Sequence, residues 1–388
     1  MRIRLMGIAV GVAAAAVAAG TASYAADAAD VVKGAKVSGY VDTTYTYNLN
    51  DPQNRVNALR VFDTEANSFL LNNSELSFMK TPDAGGAGFG LVLNYGADAQ
   101  VTQAAGSITD STGDTVKDDF DVQEAYAAYG FKSGNGWWRF GKFVTLHGAE
   151  VIRSPGDYNI SRSFLFGYAI PFTHTGLRVH YDVGPNLSGH FGVNNGWDNL
   201  KDDGKGKTAE LHVGLSLPDM LALSVTGMYG PEATDPDSDP LTIDQDNRGL
   251  IDVVATLTPV DNVTVVLNYD RGSQAKGLAG GSSALWQGYA AYVNLGIGEK
   301  HSATLRGEIF DDHDGLRTQF DIDGDGTLDI VPRTLKEVTL TLSCKQVDNL
   351  EMRAEYRYDM SNQNVFQDDK GVLKDTQSTV GVQFIYSF

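Results

Sequence analysis

Residues 321–329 form the acidic segment with the clearest capacity for chemistry in this sequence. Oxygen ligands stand at every second position around a glycine, as in the first part of a calcium-binding loop, because calcium needs several oxygens from one tight turn. The expected final glutamate is replaced by Pro332, so only weak calcium binding is predicted, and a solvated acidic turn is the alternative. The candidate ligands are Asp321, Asp323, Asp325, Thr327 and Asp329.

Motifs for enzymatic chemistry are missing from the sequence. It contains no G-x-S-x-G, no H-E-x-x-H and no P-loop, and its seven histidines are scattered without the spacing of metal ligands. The single cysteine, Cys344, excludes an intrachain disulfide and stands on the apolar parity of its segment, where we expect a small lipid-facing side chain. We therefore predict a protein that is not an enzyme and requires no cofactor.

The elements that must position these residues are β-strands. Segments of alternating polar and apolar residues recur along the chain, and about sixteen of them are near the length that a tilted strand needs to cross a bilayer. The predicted strands are 36–48, 68–80, 89–98, 119–132, 136–145, 174–183, 186–197, 208–217, 221–230, 248–258, 262–271, 284–296, 301–311, 334–345, 350–359 and 377–388.

The connectors between these strands alternate between short and long along the whole chain. Short periplasmic turns and long extracellular loops are typical of outer-membrane barrels. No apolar run after the N-terminus is long enough for a membrane-spanning helix, which leaves a closed barrel as the way to cross a bilayer. The sequence thus predicts an all-β, transmembrane, antiparallel up-and-down barrel of about sixteen strands.

Strand parity separates an aliphatic face from a polar face that mixes glycine, asparagine, threonine and charged residues. Such a polar face suits a water-filled lumen, whereas a soluble sandwich would turn its apolar face inward. Rings of charge in a lumen select ions, and cross-strand salt-bridge ladders are the alternative role for the same residues. The predicted pore-wall residues are Arg139, Arg178, His180, His190, Arg306, Glu308, Arg353, Glu355 and Arg357.

Both ends of the chain carry signals of export. Arg2 and Arg4 precede an apolar run and a small-residue site near Ala25, which predicts a signal peptide over residues 1–25 and a barrel domain over 26–388. The last strand resembles that of bacterial outer-membrane barrels, with Phe384, Tyr386 and Phe388 as its membrane-insertion signal. An edge strand of a soluble sandwich is the alternative. The net charge of −19 argues against a nucleic-acid partner.

Several motifs together resemble one family. They are WRFGKF (138–143), GAE (148–150), YNISRSFLF (158–166), PFTHTG (171–176), NGWD (195–198), LRGE (305–308) and MRAEYRYD (352–359). Nearly all of the chain after residue 25 is similar to the putative β-barrel porin-2 family of bacterial outer-membrane porins. The resemblance implies a barrel in the outer membrane, and residues 321–329 are not part of it.

The longest connector, residues 146–173, is unusually apolar for a loop in water. As the third long loop of a sixteen-stranded porin, it resembles the loop that folds into the lumen and narrows it. The charges of that constriction would then be Glu150, Arg153, Asp157 and Arg162. The alternative is a loop that caps the rim or packs on a neighbouring subunit.

We therefore expect an outer-membrane porin that passes small hydrophilic solutes or ions by diffusion, with a weak cation preference from the acidic composition. Its partners would be outer-membrane lipid, the periplasmic and outer-membrane assembly machinery and, by resemblance, two further copies in a homotrimer. The main alternative is a barrel with a plugged lumen that serves display, adhesion or structure. An outer-membrane enzyme and a soluble periplasmic β protein are weaker alternatives.

Overall fold

A computed structural model describes residues 34–107, 117–202, 206–233, 245–278, 281–319 and 329–388. Its main element is a closed barrel of sixteen antiparallel strands. These strands are β1 (Lys36–Asn48), β2 (Ser68–Lys80), β3 (Ala87–Tyr95), β4 (Phe120–Gly130), β5 (Gly136–Val144), β6 (Thr173–Asp182), β7 (Leu187–Asn194), β8 (Thr208–Leu217), β9 (Leu221–Ala233), β10 (Gln245–Val260), β11 (Val263–Gln274), β12 (Ala284–Ile297), β13 (His301–Asp312), β14 (Arg333–Val347), β15 (Leu350–Ser361) and β18 (Thr376–Ser387).

The remaining elements lie in the long connectors. Helix α1 (Ala97–Thr102) follows β3, and the two-residue strands β16 (Phe366–Gln367) and β17 (Leu373–Lys374) pair with each other before β18. A 3₁₀ turn at Ser154–Gly156 and a π-helical turn at Leu165–Ala169 lie between β5 and β6. Among the described residues, no helix is long and apolar enough to span a membrane.

The barrel closes where its first and last strands pair. β18 runs antiparallel to β1 from the Tyr40–Ser387 pair to the Asn48–Thr379 pair. Beyond this ladder, the backbone groups of Gly39 and Phe388 exchange two hydrogen bonds of 3.0 Å. Since closure leaves no strand edge exposed, the chain satisfies its backbone within the sheet, as a bilayer demands. The predicted fold class is confirmed.

The two faces of each strand follow the predicted parity. In β18, the outward side chains of Val382, Phe384 and Tyr386 are exposed, whereas the inward Thr379 and Gln383 are buried. Cys344 lies on the outward parity of β14, next to exposed Leu342. The apolar belt therefore faces outward, and the polar residues face the barrel interior.

Two predicted strands, 89–98 and 186–197, run three residues past the ends of β3 and β7, and the first shows the cause. Residues 89–98 were expected to continue one strand, but β3 ends at Tyr95, and Asp98 lies in α1 with its side chain buried. The chain turns at Gly96, whose φ of 140° is in the region that favours glycine. A Cβ there would stand 2.5 Å from the carbonyl oxygen of Asn72, so a side chain could not fit.

Candidate functional site in the barrel lumen

Residues 145–172, between β5 and β6, are here called loop 3, and their first part follows the inward face of β9 to β13. The Thr226 hydroxyl of β9 donates to the carbonyl of Leu146 at 3.3 Å, and the Ala149 amide donates to Asn268 of β11 at 3.3 Å. Further on, Arg306 of β13 donates to the Glu150 carboxylate at 2.7 Å. Loop 3 therefore enters the barrel instead of extending over its rim.

Two glutamates of the barrel wall bind the backbone of loop 3. The carboxylate of Glu355 accepts hydrogen bonds from the amides of Ile160 at 2.7 Å and Ser161 at 3.0 Å. The carboxylate of Glu308 accepts from the amides of Phe164 at 2.6 Å and Leu165 at 3.1 Å. Each of the two carboxyl groups accepts from two consecutive backbone amides, so these four bonds hold the loop against the wall.

Three wall arginines hold the carbonyl groups of the same segment. Arg306 donates to the Ser161 carbonyl at 2.7 Å, and Arg357 donates to the Arg162 carbonyl at 2.5 Å. Arg353 reaches the carbonyl groups of Ser154 and Asn159, both at 3.2 Å. Each of these guanidinium groups also pairs with a wall carboxylate at 2.7 Å, so its charge is compensated inside the barrel.

Most charged side chains of loop 3 are buried instead of exposed to the lumen. Glu150, Asp157 and Arg162 are buried, and Asp157 lies 3.1 Å from Arg162. Burial alone would lower the pKa of Arg162, but the carboxylates of Asp157, Asp98 and Glu150 raise it above its usual value. Arg153 differs, because its side chain is 47% exposed while it pairs with Glu75 of β2 at 2.7 Å. Of the four predicted constriction charges, only Arg153 faces open space.

The apolar residues of loop 3 build a core inside the barrel. Phe164, Leu165 and Phe166 are buried in it, and the Trp286 indole of β12 donates to the Ala169 carbonyl at 3.1 Å. Residues 49–67, the connector after β1, add Phe62, whose ring centroid lies 5.7 Å from that of Phe166. The unusual apolarity of loop 3 is thus accounted for by burial against other loops and the wall.

The predicted wall residues fall into two groups, which corrects the expectation that all of them line a pore. All nine stand on the inward parity of their strands. Six of them are buried because loop 3 or a wall carboxylate covers them, and they are Arg178, Arg306, Glu308, Arg353, Glu355 and Arg357. Arg139, His180 and His190 are only partly buried and face the uncovered part of the interior.

The partly exposed residues belong to a row of ring and guanidinium contacts that crosses β5 to β8. The Arg139 guanidinium lies 4.0 Å from the Trp137 ring, and Trp137 stacks on His180 with centroids 5.2 Å apart. Nδ1 of His180 lies 2.9 Å from Nε2 of His190, whose ring meets His212 on the next strand at 5.0 Å.

The histidines are therefore not scattered as the sequence suggested, because strand pairing sets His180 opposite His190 and His190 opposite His212. Strand parity predicts His180 and His190 on the inward wall, but it does not give the cross-strand register that places them against each other and against His212. A second histidine contact, between His147 at the start of loop 3 and His174 of β6, has ring centroids 6.5 Å apart.

Open space remains between loop 3 and the wall near β1 and β4. A cavity of about 660 Å³ is bounded by Tyr40 of β1, Glu124 of β4, His147 and Arg153 of loop 3, and the terminal Phe388. It extends from the rim where β1 and β18 pair to loop 3. A small hydrated solute would fit in this part of the described lumen.

Two other predicted sites have different locations. Of the proposed calcium ligands, Asp321, Asp323, Asp325 and Thr327 lie outside the described residues, and only Asp329 lies within them. The insertion residues Phe384 and Tyr386 are exposed on the outer face of β18, and Phe388 is exposed at its end.

A closed sixteen-stranded barrel with an outward apolar belt and a loop inside its lumen defines an outer-membrane porin. The family model described as putative beta-barrel porin-2, OmpL-like, matches residues 34–388. The chain belongs to this family, which confirms the resemblance seen in the sequence and supports an outer-membrane channel. The family is described as one of porins.

Solved structures with the same fold share little sequence with this chain. OmpT of Vibrio cholerae in its trimer form has a TM-score of 0.59 at 13% identity, with 91% of this chain and 99% of that chain covered. An anion-selective porin from Comamonas acidovorans has a TM-score of 0.59 at 11% identity, with 91% and 99% covered. The channel DcaP of Acinetobacter baumannii has 0.57 at 14%, with 91% and 97% covered. No curated protein sequence matches the chain.

Proposed function

We propose that the protein is a passive diffusion channel for small hydrophilic solutes or ions and that loop 3 forms its constriction. The observation that carries this proposal is the pair of wall glutamates, Glu308 and Glu355, bonded to loop 3 backbone amides inside the barrel. A loop that is held by these hydrogen bonds on the far wall reduces the open cross-section of the lumen. Transport is then confined to the space between loop 3 and the β1–β4 wall.

We further propose that the constriction prefers anions, in contrast to the cation preference expected from composition. Arg153 is the exposed charge of loop 3, while its partner Glu75 is buried. Arg139, on the inward face of β5, is a second cation that is partly exposed, outside the cavity beside loop 3. A charge close to the narrowest point interacts with a passing ion with little screening by water and salt. Its effect on ion selectivity therefore exceeds that of the more distant acidic groups in the extracellular loops.

The test is reconstitution into planar bilayers with reversal potentials measured across a salt gradient. We expect discrete conductance steps, an anion-selective reversal potential, and a shift toward zero selectivity in Arg153→Gln and Arg139→Gln. Arg271→Gln is the matched control, because Arg271 is exposed on the outer face of β11 and should change nothing. A cation-selective wild type, or an unchanged potential in Arg153→Gln, contradicts the anion preference.

The plugged barrel is the second candidate, and the apolar core inside the lumen is the observation that favours it. Phe62, Phe164, Phe166 and Trp286 fill much of the space that a wide pore would leave open. A plugged barrel gives no conductance steps in the bilayer experiment, at any salt concentration. We propose no enzymatic activity for either form.

We also propose export through cleavage near Ala25, followed by delivery to the outer-membrane assembly machinery through the terminal aromatic signal. Residues 1–33 lie outside the described residues, so cleavage is best tested by N-terminal sequencing of the mature protein. A start near Ala26 is expected, and a retained leader contradicts the proposal.

A homotrimer is proposed as the assembly, since OmpT of Vibrio cholerae, which shares the fold, has a trimer form. Analytical ultracentrifugation in detergent should give three chains per particle, and a monomeric particle rejects the assembly.

Calcium binding by residues 321–329 stays a prediction. Isothermal titration should show heat that is lost in Asp323→Ala, and no heat in the wild type refutes it.

A further inference from the structure

We propose that His147, His174 and Glu210 bind a divalent transition-metal ion of the zinc type at the base of loop 3. The three residues come from different elements, since His147 opens loop 3, His174 stands on β6 and Glu210 stands on β8. An ion held by all three would cross-link the start of loop 3 to the barrel wall. This metal site is independent of the proposed transport function.

The distances suit a metal centre. One ligand atom from each residue lies within 4.8 Å of the other two. A tetrahedral zinc ion with bonds of about 2.0–2.1 Å sets its ligand atoms roughly 3.4 Å apart, so small side-chain rotations would bring them into range. All three side chains are buried, so the surrounding protein limits how far they can move apart. Two imidazoles and one carboxylate are a ligand set that zinc commonly takes.

Each histidine has one nitrogen that could bind metal. Nε2 of His147 has no hydrogen-bond partner, and Nε2 of His174 lies 3.3 Å from the Thr145 hydroxyl, a contact that a metal ion would replace. Nδ1 of His174 lies 3.1 Å from the carbonyl oxygen of Gly196, which can only accept, so Nδ1 carries the proton and Nε2 carries a lone pair. Nδ1 of His147 lies 3.0 Å from the Thr145 hydroxyl, and its Nε2 is buried without a hydrogen-bond partner. A buried nitrogen without a partner is costly, and metal coordination would satisfy it.

Glu210 is oriented by Arg178. The guanidinium donates from Nε to one carboxylate oxygen at 3.0 Å and from Nη2 to the other at 2.9 Å. This two-pronged contact uses one lone pair on each oxygen and leaves a second on each for a metal. The positive charge of Arg178 lowers the affinity for a dication, so we expect binding in the micromolar range or weaker.

The nearby row of His180, His190 and His212 provides an internal comparison. These rings lie on the same wall, and Nδ1 of His180 lies 2.9 Å from Nε2 of His190. Among the described residues, however, the three histidines do not bring one nitrogen each within 4.8 Å of the other two. They are also partly exposed to the lumen. A variant in this row tests whether any histidine cluster on the wall would bind zinc.

The experiment is isothermal titration of the metal-stripped protein in detergent with Zn²⁺. We expect one ion per chain and an affinity at least about tenfold weaker in His147→Gln and in His174→Gln. His190→Gln is the matched control and should retain wild-type affinity. Absence of heat in the wild type, equal affinity in His147→Gln, or loss of binding in His190→Gln instead would overturn the proposal.

A second measurement guards against misfolded variants. Each variant is first checked for the heat-dependent gel shift of an intact barrel, and Co²⁺ then replaces Zn²⁺ as a spectroscopic probe. A tetrahedral cobalt site absorbs strongly in the visible region, and we expect this band in the wild type and in His190→Gln but not in His147→Gln. Since neither measurement uses ion current, a failure of the channel proposal leaves this result unaffected.

Discussion

Glu355→Gln isolates the attachment of loop 3 to the barrel wall. The carboxylate of Glu355 accepts from the amides of Ile160 and Ser161, and also from the Thr341 hydroxyl at 2.7 Å. Glutamine has the same shape, but only one of its two terminal atoms accepts hydrogen bonds. Its amide nitrogen would face a backbone N–H, so one of the two backbone bonds is lost and the charge is removed from the other.

The expected loss follows from these contacts. A hydrogen bond to a charged group contributes about 1.5–3 kcal/mol, and Gln therefore weakens the attachment by roughly that amount. At 1.4 kcal/mol for each factor of ten, the detached population of loop 3 rises about 10- to 150-fold. The barrel itself should keep its stability, since the strand ladder of β15 with β14 and β18 is unchanged.

The assay is single-channel recording together with limited proteolysis. Glu355→Gln should show larger current fluctuations and faster cleavage within loop 3, at an unchanged temperature of the heat-dependent gel shift. Glu299→Gln is the control, because it removes the same charge from an exposed residue in the short turn between β12 and β13. If Glu355→Gln leaves both current fluctuations and cleavage at wild-type levels, the attachment does not fix the constriction.

Three further predictions concern other parts of the barrel. Burial raises the pKa of Asp98 well above its usual value, so the folded state retains the proton and stability falls as pH rises above about 4; hydrogen exchange should show α1 better protected at pH 5 than at pH 8, and Asp98→Asn should remove this difference. Val382→Arg places a charge midway along the lipid face of β18 and should cost about 2–4 kcal/mol in urea titrations of vesicle-inserted protein, whereas an unchanged midpoint contradicts the assigned face. Gly39→Ala should reduce the fraction of closed barrel on gels, because its Cβ would stand 2.2 Å from the Glu75 carbonyl oxygen and 2.6 Å from the Phe388 ring; full closure would refute this packing.

Much of the barrel could be predicted from sequence, because the alternation of polar and apolar residues within each strand shows which side chains lie on which face. Period-two alternation is a local property, and the sixteen predicted segments all coincide with barrel strands. The prediction failed where a single backbone conformation ended a strand, as at Gly96, since Asp98 continues the alternating pattern but lies in a helix. Strand length is decided by such turns, which alternation does not encode.

The site was less predictable, because inward parity says only that a side chain points into the barrel. Whether it then meets solvent depends on what else occupies the interior. Arg306 and Glu355 have the same parity as Arg139, yet loop 3 covers the first two and leaves the third accessible. The apolar residues of loop 3 indicated that it is buried, but no local pattern states which wall residues it contacts.

The sequence by itself determined the strands, their faces, the closing role of the C-terminal segment and the family. Those features rest on short-range periodicity and on motifs within single segments. Only the tertiary structure decided that Glu308 and Glu355 bind loop 3 and that His147 meets His174 and Glu210. These contacts join residues far apart in the chain, and their geometry depends on barrel closure, which no single segment specifies.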